Sequence, residues 1–363
     1  MKDTRDADYS RLAAKSLDDE QLSYKESSAI LTGDGVELLP LLQSAYQVRK
    51  FYWGREVRVH VLNNVQNGLC SEDCSYCAQS RSSKTPIAGY PMKSEAEIMA
   101  EADRAHRSGA FRYCMVFSGK SPDLARTREI ARLVRKVKGT YPLEVCVSAG
   151  LMDDAHMAVL KGSGCDRINH NLNTSERNYP LICTTHTWRD RLNTLQAAKK
   201  AGLEVCSGLI VGLGETSAEL IDLALTFRRL EVKSIPVNFL LPISGNEVPA
   251  SGPDPQYCLR VLCLFRFLNP RAEIRVAAGR ELNLRSLEVM SLYPANSLFL
   301  DGYLNVKGSP GIRTLRMIRD AGFTIASDFK LEDILDGEGK GTRAIEEGSL
   351  KTSRDLHPCL PLP

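Results

Sequence analysis

Cys70, Cys74 and Cys77 stand in the run Cys70-Ser71-Glu72-Asp73-Cys74-Ser75-Tyr76-Cys77, three thiols at C-x3-C-x2-C spacing. Close-set thiolates are the usual ligands of iron–sulfur clusters, because one loop can wrap the edge of a cube. A cubane [4Fe–4S] cluster has four irons, and this loop supplies three thiolates. One iron is left open, the mark of a reactive metal site as opposed to a closed structural one. A structural zinc ion needs four ligands. No Cys or His follows within a dozen residues; His106 is remote and Cys114 falls on what reads as a separate strand. A ferredoxin-type electron-transfer run carries a fourth cysteine at short spacing, which this loop lacks.

The elements that must position this loop follow from the apolar pattern. Short apolar runs read as strands at Val59–Val65, Tyr113–Phe117, Leu143–Ser148, Arg167–His170, Glu204–Val211, Ile235–Leu240, Glu273–Ala277 and Asn296–Leu300. Amphipathic helices are expected over Glu95–His106, Leu124–Lys138, Asp153–Lys161, Trp188–Ala201, Ser217–Leu230, Gln256–Leu268, Glu281–Met290 and Gly311–Asp320. Eight alternating pairs predict a (β/α)8 TIM-type barrel over residues 57–328. A six-stranded open barrel would need fewer units. Residues 1–56 read as an N-terminal helical extension, with Leu38, Leu41, Leu42, Ala45, Tyr46 and Val48 at helical spacing. Residues 329–363 turn polar and glycine-rich, and read as a mobile tail. The cysteine loop follows the first strand, so it falls at the C-terminal face, where barrel enzymes gather their chemistry.

A second set lies inside the strands. Cys114, Cys146 and Cys206 occupy the second, third and fifth, and Arg275 the seventh. One strand cysteine alone reads as packing, since free Cys behaves as a small hydrophobe. Three on three strands, with an arginine that would need a partner if buried, suggest an anionic cluster held inside the barrel.

The C-x3-C-x2-C loop, with aromatic Tyr76 before its last cysteine and a barrel-like chain behind it, resembles the radical S-adenosylmethionine (SAM) superfamily. That resemblance implies SAM chelating the open iron through its amino and carboxylate groups, and reductive cleavage to a 5′-deoxyadenosyl radical. Further segments narrow the resemblance to the biotin synthase family: Asn67-Gly68-Leu69-Cys70, Arg112-Tyr113-Cys114-Met115, Glu144-Val145-Cys146, Asn169-His170-Asn171-Leu172-Asn173-Thr174, Val205-Cys206-Ser207-Gly208, Ile235-Pro236-Val237-Asn238 and Arg275-Val276-Ala277-Ala278-Gly279-Arg280-Glu281. The match runs from about residue 40 to 325.

The family resemblance implies sulfur insertion between C6 and C9 of dethiobiotin, with two SAM molecules used per biotin. Cys70, Cys74 and Cys77 would hold the [4Fe–4S] cluster. Cys114, Cys146, Cys206 and Arg275 would hold a [2Fe–2S] cluster that donates the sulfur. Tyr76, Asn171, Asn173 and Arg191 would contact SAM, and Asn171 and Asn238 the substrate. A homodimer, a flavodoxin- or ferredoxin-type electron donor and the iron–sulfur assembly machinery are implied as partners. The chemistry is coherent: unactivated C–H bonds offer no acidic proton to general acid–base catalysis, so a cofactor must supply a radical. The chain departs from the family at Asn173, where many members have Asp, and at Gln66, where some have a Lys near the substrate carboxylate.

The other candidates read as ordinary. His60, His106, His156, His186 and His357 show no metal-ligand spacing, and Cys165, Cys183, Cys258, Cys263 and Cys359 read as packing or surface thiols. Gly212-Leu213-Gly214-Glu215-Thr216-Ser217 lacks the third glycine of a dinucleotide fingerprint. The 363-residue chain is 25% charged with net charge +3, which argues against a dedicated nucleic-acid binder. No apolar run reaches the roughly 18 residues of a membrane span, and no signal peptide is visible, so a cytoplasmic protein is expected. Eleven cysteines, an odd count, fit metal–sulfur chemistry better than a disulfide framework. Two other readings stay open: a radical SAM barrel enzyme that inserts no sulfur, and an iron–sulfur electron-transfer protein.

Overall fold

Parallel strands close into a barrel in the computed structural model, which describes residues 8–68, 70–248 and 252–337. The strands are β1 Glu56–Gln66, β2 Arg112–Phe117, β3 Glu144–Ser148, β4 Arg167–Asn169, β5 Glu204–Cys206, β6 Leu209–Val211, β7 Ser234–Phe239, β8 Glu273–Val276 and β9 Ser297–Phe299. β5 and β6 are two halves of one stave, both pairing with β7, so the barrel has eight staves. It closes where β9 pairs with β1 through Arg58↔Ser297, Val59↔Leu298 and His60↔Phe299. Strands such as β2 and β7 are buried nearly throughout. Parallel strands covered on both faces read this way, as continuous apolar runs instead of alternating ones.

Helices α1 Tyr9–Leu17, α2 Tyr24–Thr32 and α3 Leu38–Trp53 precede the barrel. Around it run α4 Glu95–Arg107, α5 Leu124–Thr140, α6 Asp154–Lys161, α7 Trp188–Lys200, α8 Ser217–Arg229, α9 Pro255–Leu268, α10 Arg280–Leu284 and α11 Gly311–Asp320. Capping boxes start α4 (Ser94 with Glu97), α7 (Thr187 with Asp190) and α8 (Thr216 with Glu219). Each satisfies two backbone donors that a helix start leaves open. From Val261 to its end α9 is buried on every side, with Cys263, Phe265 and even Arg266 inside. The cause is its second cover: α1, α2 and α3 pack on it from outside. The N-terminal helices are thus part of the barrel's shell.

Three details differ from the expected pattern. The fifth stave breaks at Ser207-Gly208, between β5 and β6. A Cβ on Gly208 would sit 1.9 Å from the Pro236 carbonyl oxygen, so β7 presses on backbone there and regular pairing stops. The stretch expected as one helix over Glu281–Met290 is α10 followed by a 3-10 segment, Arg285–Leu292, with Arg285 at φ 52° as the joint. Past residue 329, α12 Leu331–Gly337 buries Leu331 and Leu335 against Ile318 and Phe323. The remainder of the expected tail, 338–363 with His357 and Cys359, lies outside the described residues. A short hairpin, Gly302–Tyr303 with Val306–Lys307, follows β9. No helix among the described residues is long and apolar enough to cross a membrane.

Gly208→Ala should lower stability by about 3 kcal/mol, the upper range for overpacking. Urea unfolding of the variant, monitored by circular dichroism, checks this; an unchanged midpoint would mean that β7 yields freely.

Candidate functional site

The C-terminal ends of the strands open into a cavity of about 250 Å³. Cys70, Cys74 and Cys77 all line it, with Tyr76, Asn171, Asn173, Arg191 and Asn238. The cysteine loop is fixed by backbone bonds at both ends: Ser75 N–H donates to the Ile182 carbonyl (2.9 Å), and Arg81 N–H to that of Glu72 (2.9 Å). Asp73 anchors its middle, accepting from the backbone N–H groups of Thr184 (2.9 Å) and Thr185 (3.2 Å). Burial pushes the Asp73 carboxyl up, but the Thr184 hydroxyl, which also donates to it, and then the Thr184 N–H hold it well below the usual carboxylate range. Burial pushes the Cys77 thiol up.

Arg191 reaches the cavity from α7. Its Nη1 donates to the Asn171 carbonyl (2.9 Å) and its Nε to His186 Nε2 (3.1 Å) and the Tyr179 hydroxyl. Asn171 Oδ1 accepts from Gly208 N–H (3.0 Å), tying the loop after β4 to the break in the fifth stave. Asn173 has φ 67° and donates its amide to the Tyr76 hydroxyl. Asn238 is spent on backbone: its Nδ2 donates to the Leu209 carbonyl (2.8 Å) and its Oδ1 accepts from Ala278 N–H (3.1 Å). His170 Nε2 is buried in the cavity wall without a hydrogen-bond partner among the described residues. Burial holds this imidazole neutral, its pKa well below the usual value.

The second set of residues also comes together. Cys114 pairs in register with Cys146 across β2 and β3, and with Cys206 they form one buried group, together with Ala277 and Phe299. A hydrogen bond from Cys146 lowers the pKa of both Cys114 and Cys206, and raises its own. Arg275 points Nη1 at Cys206 Sγ (3.8 Å). Its other nitrogens are taken, Nη2 by Ser234 Oγ (2.7 Å) and Glu273 Oε1 (2.7 Å), Nε by Ser297 Oγ (3.2 Å). Burial works against the guanidinium charge, but Cys206, Glu273 and Cys114 outweigh it and raise its pKa. Tyr303, from the hairpin after β9, lines the cavity and packs on the thiol group as well.

An ionic layer underlies the thiols. Glu273, fully buried, accepts from Arg112 Nη1 (3.0 Å) and Ser234 Oγ (2.9 Å) and meets His60 Nε2 at 3.1 Å. Arg112 also pairs with Glu144 (2.7 Å), which meets Arg167 (3.3 Å). Burial opposes the Glu273 charge, yet the facing cations, Arg112 first, hold its pKa well below the usual 4.5.

Residues 66–227 match the radical SAM superfamily, and residues 236–324 the biotin and thiamin synthesis associated domain. The biotin synthase of Magnetococcus marinus is 54% identical over 297 residues, 82% of this chain and 92% of that protein. The chain belongs to the biotin synthase family. The biotin synthase of Acaryochloris marina is 49% identical over 316 residues, covering 87% of this chain and 91% of its own. A methylornithine synthase shares the fold with a TM-score of 0.74 at 20% identity, over 89% of this chain and 98% of its own. The FeFe-hydrogenase maturase of Carboxydothermus hydrogenoformans does so with a TM-score of 0.74 at 18% identity, over 89% and 80%. As a biotin synthase family member the chain is a radical SAM enzyme, which uses SAM and a [4Fe–4S] cluster.

Two residues read from sequence as ordinary stand against the cysteine loop, and Cys183 is a buried packing thiol, as read. Cys183 and His186 lie beside Cys74: the two sulfurs are 3.7 Å apart, and His186 Nδ1 is 3.3 Å from the Cys183 sulfur. Their separation from Cys74 in sequence hid them. Tyr303, His170 and Lys120, also in the cavity wall, carried no signal in spacing. At the departure from the family, Gln66 accepts through Oε1 from Arg126 (2.7 Å), which brings a guanidinium to that position.

Glu273→Gln should cost about 3 kcal/mol above pH 5, by leaving Arg112 and Arg275 without their buried counter-ion. Because the folded carboxyl titrates below its usual 4.5, its contribution is full above that pH and is lost as pH falls. The gap between wild type and variant in urea unfolding should therefore narrow below about pH 4.5; a gap constant with pH would show that Glu273 is not charged in the fold.

Proposed function

We propose that the chain inserts sulfur between C6 and C9 of dethiobiotin to give biotin, the reaction of its family, with two thiol-rich sites stacked along one barrel axis. The observation that carries this reading is that Cys70, Cys74 and Cys77 line the same cavity whose floor, at Tyr303, packs on Cys114, Cys146 and Cys206. The donor chemistry fits both groups. Three thiols on one loop suit a [4Fe–4S] cluster with one open iron. Three more on the second, third and fifth staves, with Arg275 Nη1 turned to Cys206, suit a [2Fe–2S] cluster. Bound there, the first cluster supplies the electron that cleaves SAM, and the second supplies the sulfur.

The chain's own residues bind, orient and seal. Arg191 presents a guanidinium for the SAM carboxylate, a match for a planar fork. Tyr76, Asn171 and Asn173 offer polar contacts to its nucleoside part, and His170 Nε2, without a partner in the wall, takes one more. Asn238 reads as a positioning residue for the substrate's ring, with its amide already bonded to backbone. Lys120 in the wall and Arg126 behind Gln66 offer cations to the substrate carboxylate. Closing SAM, substrate and sulfur donor in one barrel replaces diffusion with fixed geometry. A homodimer, a low-potential electron donor of the flavodoxin or ferredoxin type, iron–sulfur assembly machinery and a cytoplasmic location complete the reading on family grounds.

An anaerobic single turnover with both clusters loaded should yield biotin together with 5′-deoxyadenosine, measured by mass spectrometry. 5′-Deoxyadenosine without biotin would sink the substrate assignment. Cys206→Ala should keep SAM cleavage but lower biotin by about a hundredfold or more, as expected for a lost metal ligand; equal loss of both products would put Cys206 outside the sulfur-donor site.

A further inference from the structure

Cys183 follows the 3-10 turn Tyr179–Leu181, and its sulfur stands 3.7 Å from that of Cys74. Both are buried free thiols. The contact is fixed from either side. Ser75 N–H donates to the Ile182 carbonyl (2.9 Å), and Thr184 N–H donates to Asp73 Oδ1 (2.9 Å). The neighbours of Cys74 are thus tied to the neighbours of Cys183, and the two sulfurs face each other within reach of an S–H···S bond.

Between two free thiols the bond can run either way. A sulfur that ligates iron is a thiolate and can only accept. With Cys74 on a cluster, the donor in this contact is therefore Cys183, whose other neighbours are occupied. Arg191 Nε donates to His186 Nε2 (3.1 Å), so the ring carries its proton on Nδ1 and gives it to Glu72 Oε2 (2.6 Å). Nδ1, 3.3 Å from the Cys183 sulfur, is thus no acceptor. Asp73 Oδ1 also lies 3.3 Å from that sulfur. It already accepts from Thr184 N–H (2.9 Å), Thr185 N–H (3.2 Å) and Thr185 Oγ1 (3.0 Å). Thr185 Oγ1, at 3.6 Å from the sulfur, takes the Asp73 N–H (3.3 Å) while giving its own proton to Asp73. Cys77 has the backbone N–H groups of Gln79 and Ser80 to accept from. The Cys74 sulfur has no donor but Cys183 among the described residues, and a charged acceptor strengthens the bond it receives.

We propose that Cys183 donates a hydrogen bond to the Cys74 sulfur of the loaded enzyme and so raises the reduction potential of the [4Fe–4S] cluster. An added electron makes the ligating sulfurs more negative, so a donor on one of them favours the reduced state; hydrogen bonds to sulfur are among the factors that set a cluster's potential. Cys183 is not in the cavity wall. It acts through Cys74, as a positioning residue, and eases the one-electron reduction on which SAM cleavage depends. The inference rests on the proposed role of Cys74 as a cluster ligand.

The test uses the full chain with its [4Fe–4S] cluster loaded anaerobically and no SAM present. A redox titration is followed by the electron paramagnetic resonance of the reduced cluster. Cys183→Ala should disfavour the reduced state by about threefold or more, a fall of about 28 mV at about 59 mV per tenfold for one electron. Cys183→Val fills the buried volume without a donor and should fall as Cys183→Ala does. Cys183→Ser restores a donor and should recover most of the shift. Proton ENDOR of the reduced cluster, before and after exchange into D2O, should show one exchangeable proton in wild type that Cys183→Val lacks. The proposal is overturned if Cys183→Ala and Cys183→Val keep the wild-type potential. It is equally overturned if Cys183→Ser falls as far as they do, since packing alone would then account for the shift, or if the exchangeable protons of Cys183→Val match those of wild type. Wild type that takes up no four-iron cluster, judged by iron content and resonance, would overturn the family reading as well; a cluster that forms with a potential insensitive to Cys183 overturns this inference alone.

Discussion

Glu273 is a carboxylate with no exposure to solvent, and taking such a charge out of water costs on the order of several kcal/mol unless it is met. It is met from several staves at once, by Arg112 on β2, His60 on β1, Ser234 on β7 and Arg275 on its own strand. Each of these must stand at the right height for the carboxylate to be satisfied. The ion layer therefore sets the register of the lower barrel as well as its charge. Arg112 is shared between Glu273 and Glu144, while Arg275 turns one nitrogen to Cys206, so guanidinium charge reaches the thiols. That field reaches Cys114 and Cys206 and, after their bond from Cys146, is what favours their thiolates. A site for an anionic group is thus prepared by a charge that lies beneath it.

The same anchoring governs Arg275. With Nε and Nη2 held by Ser297, Ser234 and Glu273, only Nη1 is turned to Cys206. A side chain fixed at three points has little entropy left to lose in any further contact, which is how preorganisation contributes to binding. Tyr303 touches both the thiol layer and the cavity.

The alternation of strands and helices was legible because helical and strand periods differ, and the cysteine loop was legible because its spacing is local. The inward set, Cys114, Cys146, Cys206 and Arg275, could be read once strand positions were assigned. What stayed hidden depends on contacts between distant segments. The break at Gly208 comes from Pro236 on the neighbouring stave. Cys183 and His186 acquire meaning only beside Cys74, more than a hundred residues earlier. Glu273 reads as a plain strand residue until Arg112 and His60 are seen around it. α12 follows a stretch whose polar composition masked the two leucines that dock it.

Asn173 shows how a departure from the family pattern is tolerated and what it changes. Its φ of 67° lies in the left-handed region, where Asn and Asp are the side chains most readily accepted after glycine. The backbone there is constrained because Asn173 N–H donates to the Gly208 carbonyl (3.0 Å) and its own carbonyl accepts from Ile210 N–H (2.8 Å). These bonds continue the pairing of β4 across the break to β6, so both Asp and Asn satisfy the conformational demand. They differ in the direction of the bond to Tyr76. A carboxylate can only accept from the phenol, whereas the Asn173 amide donates to it. In this chain the Tyr76 proton is therefore left for an acceptor other than Asn173. The substitution preserves the shape of the site and reverses one hydrogen bond within it.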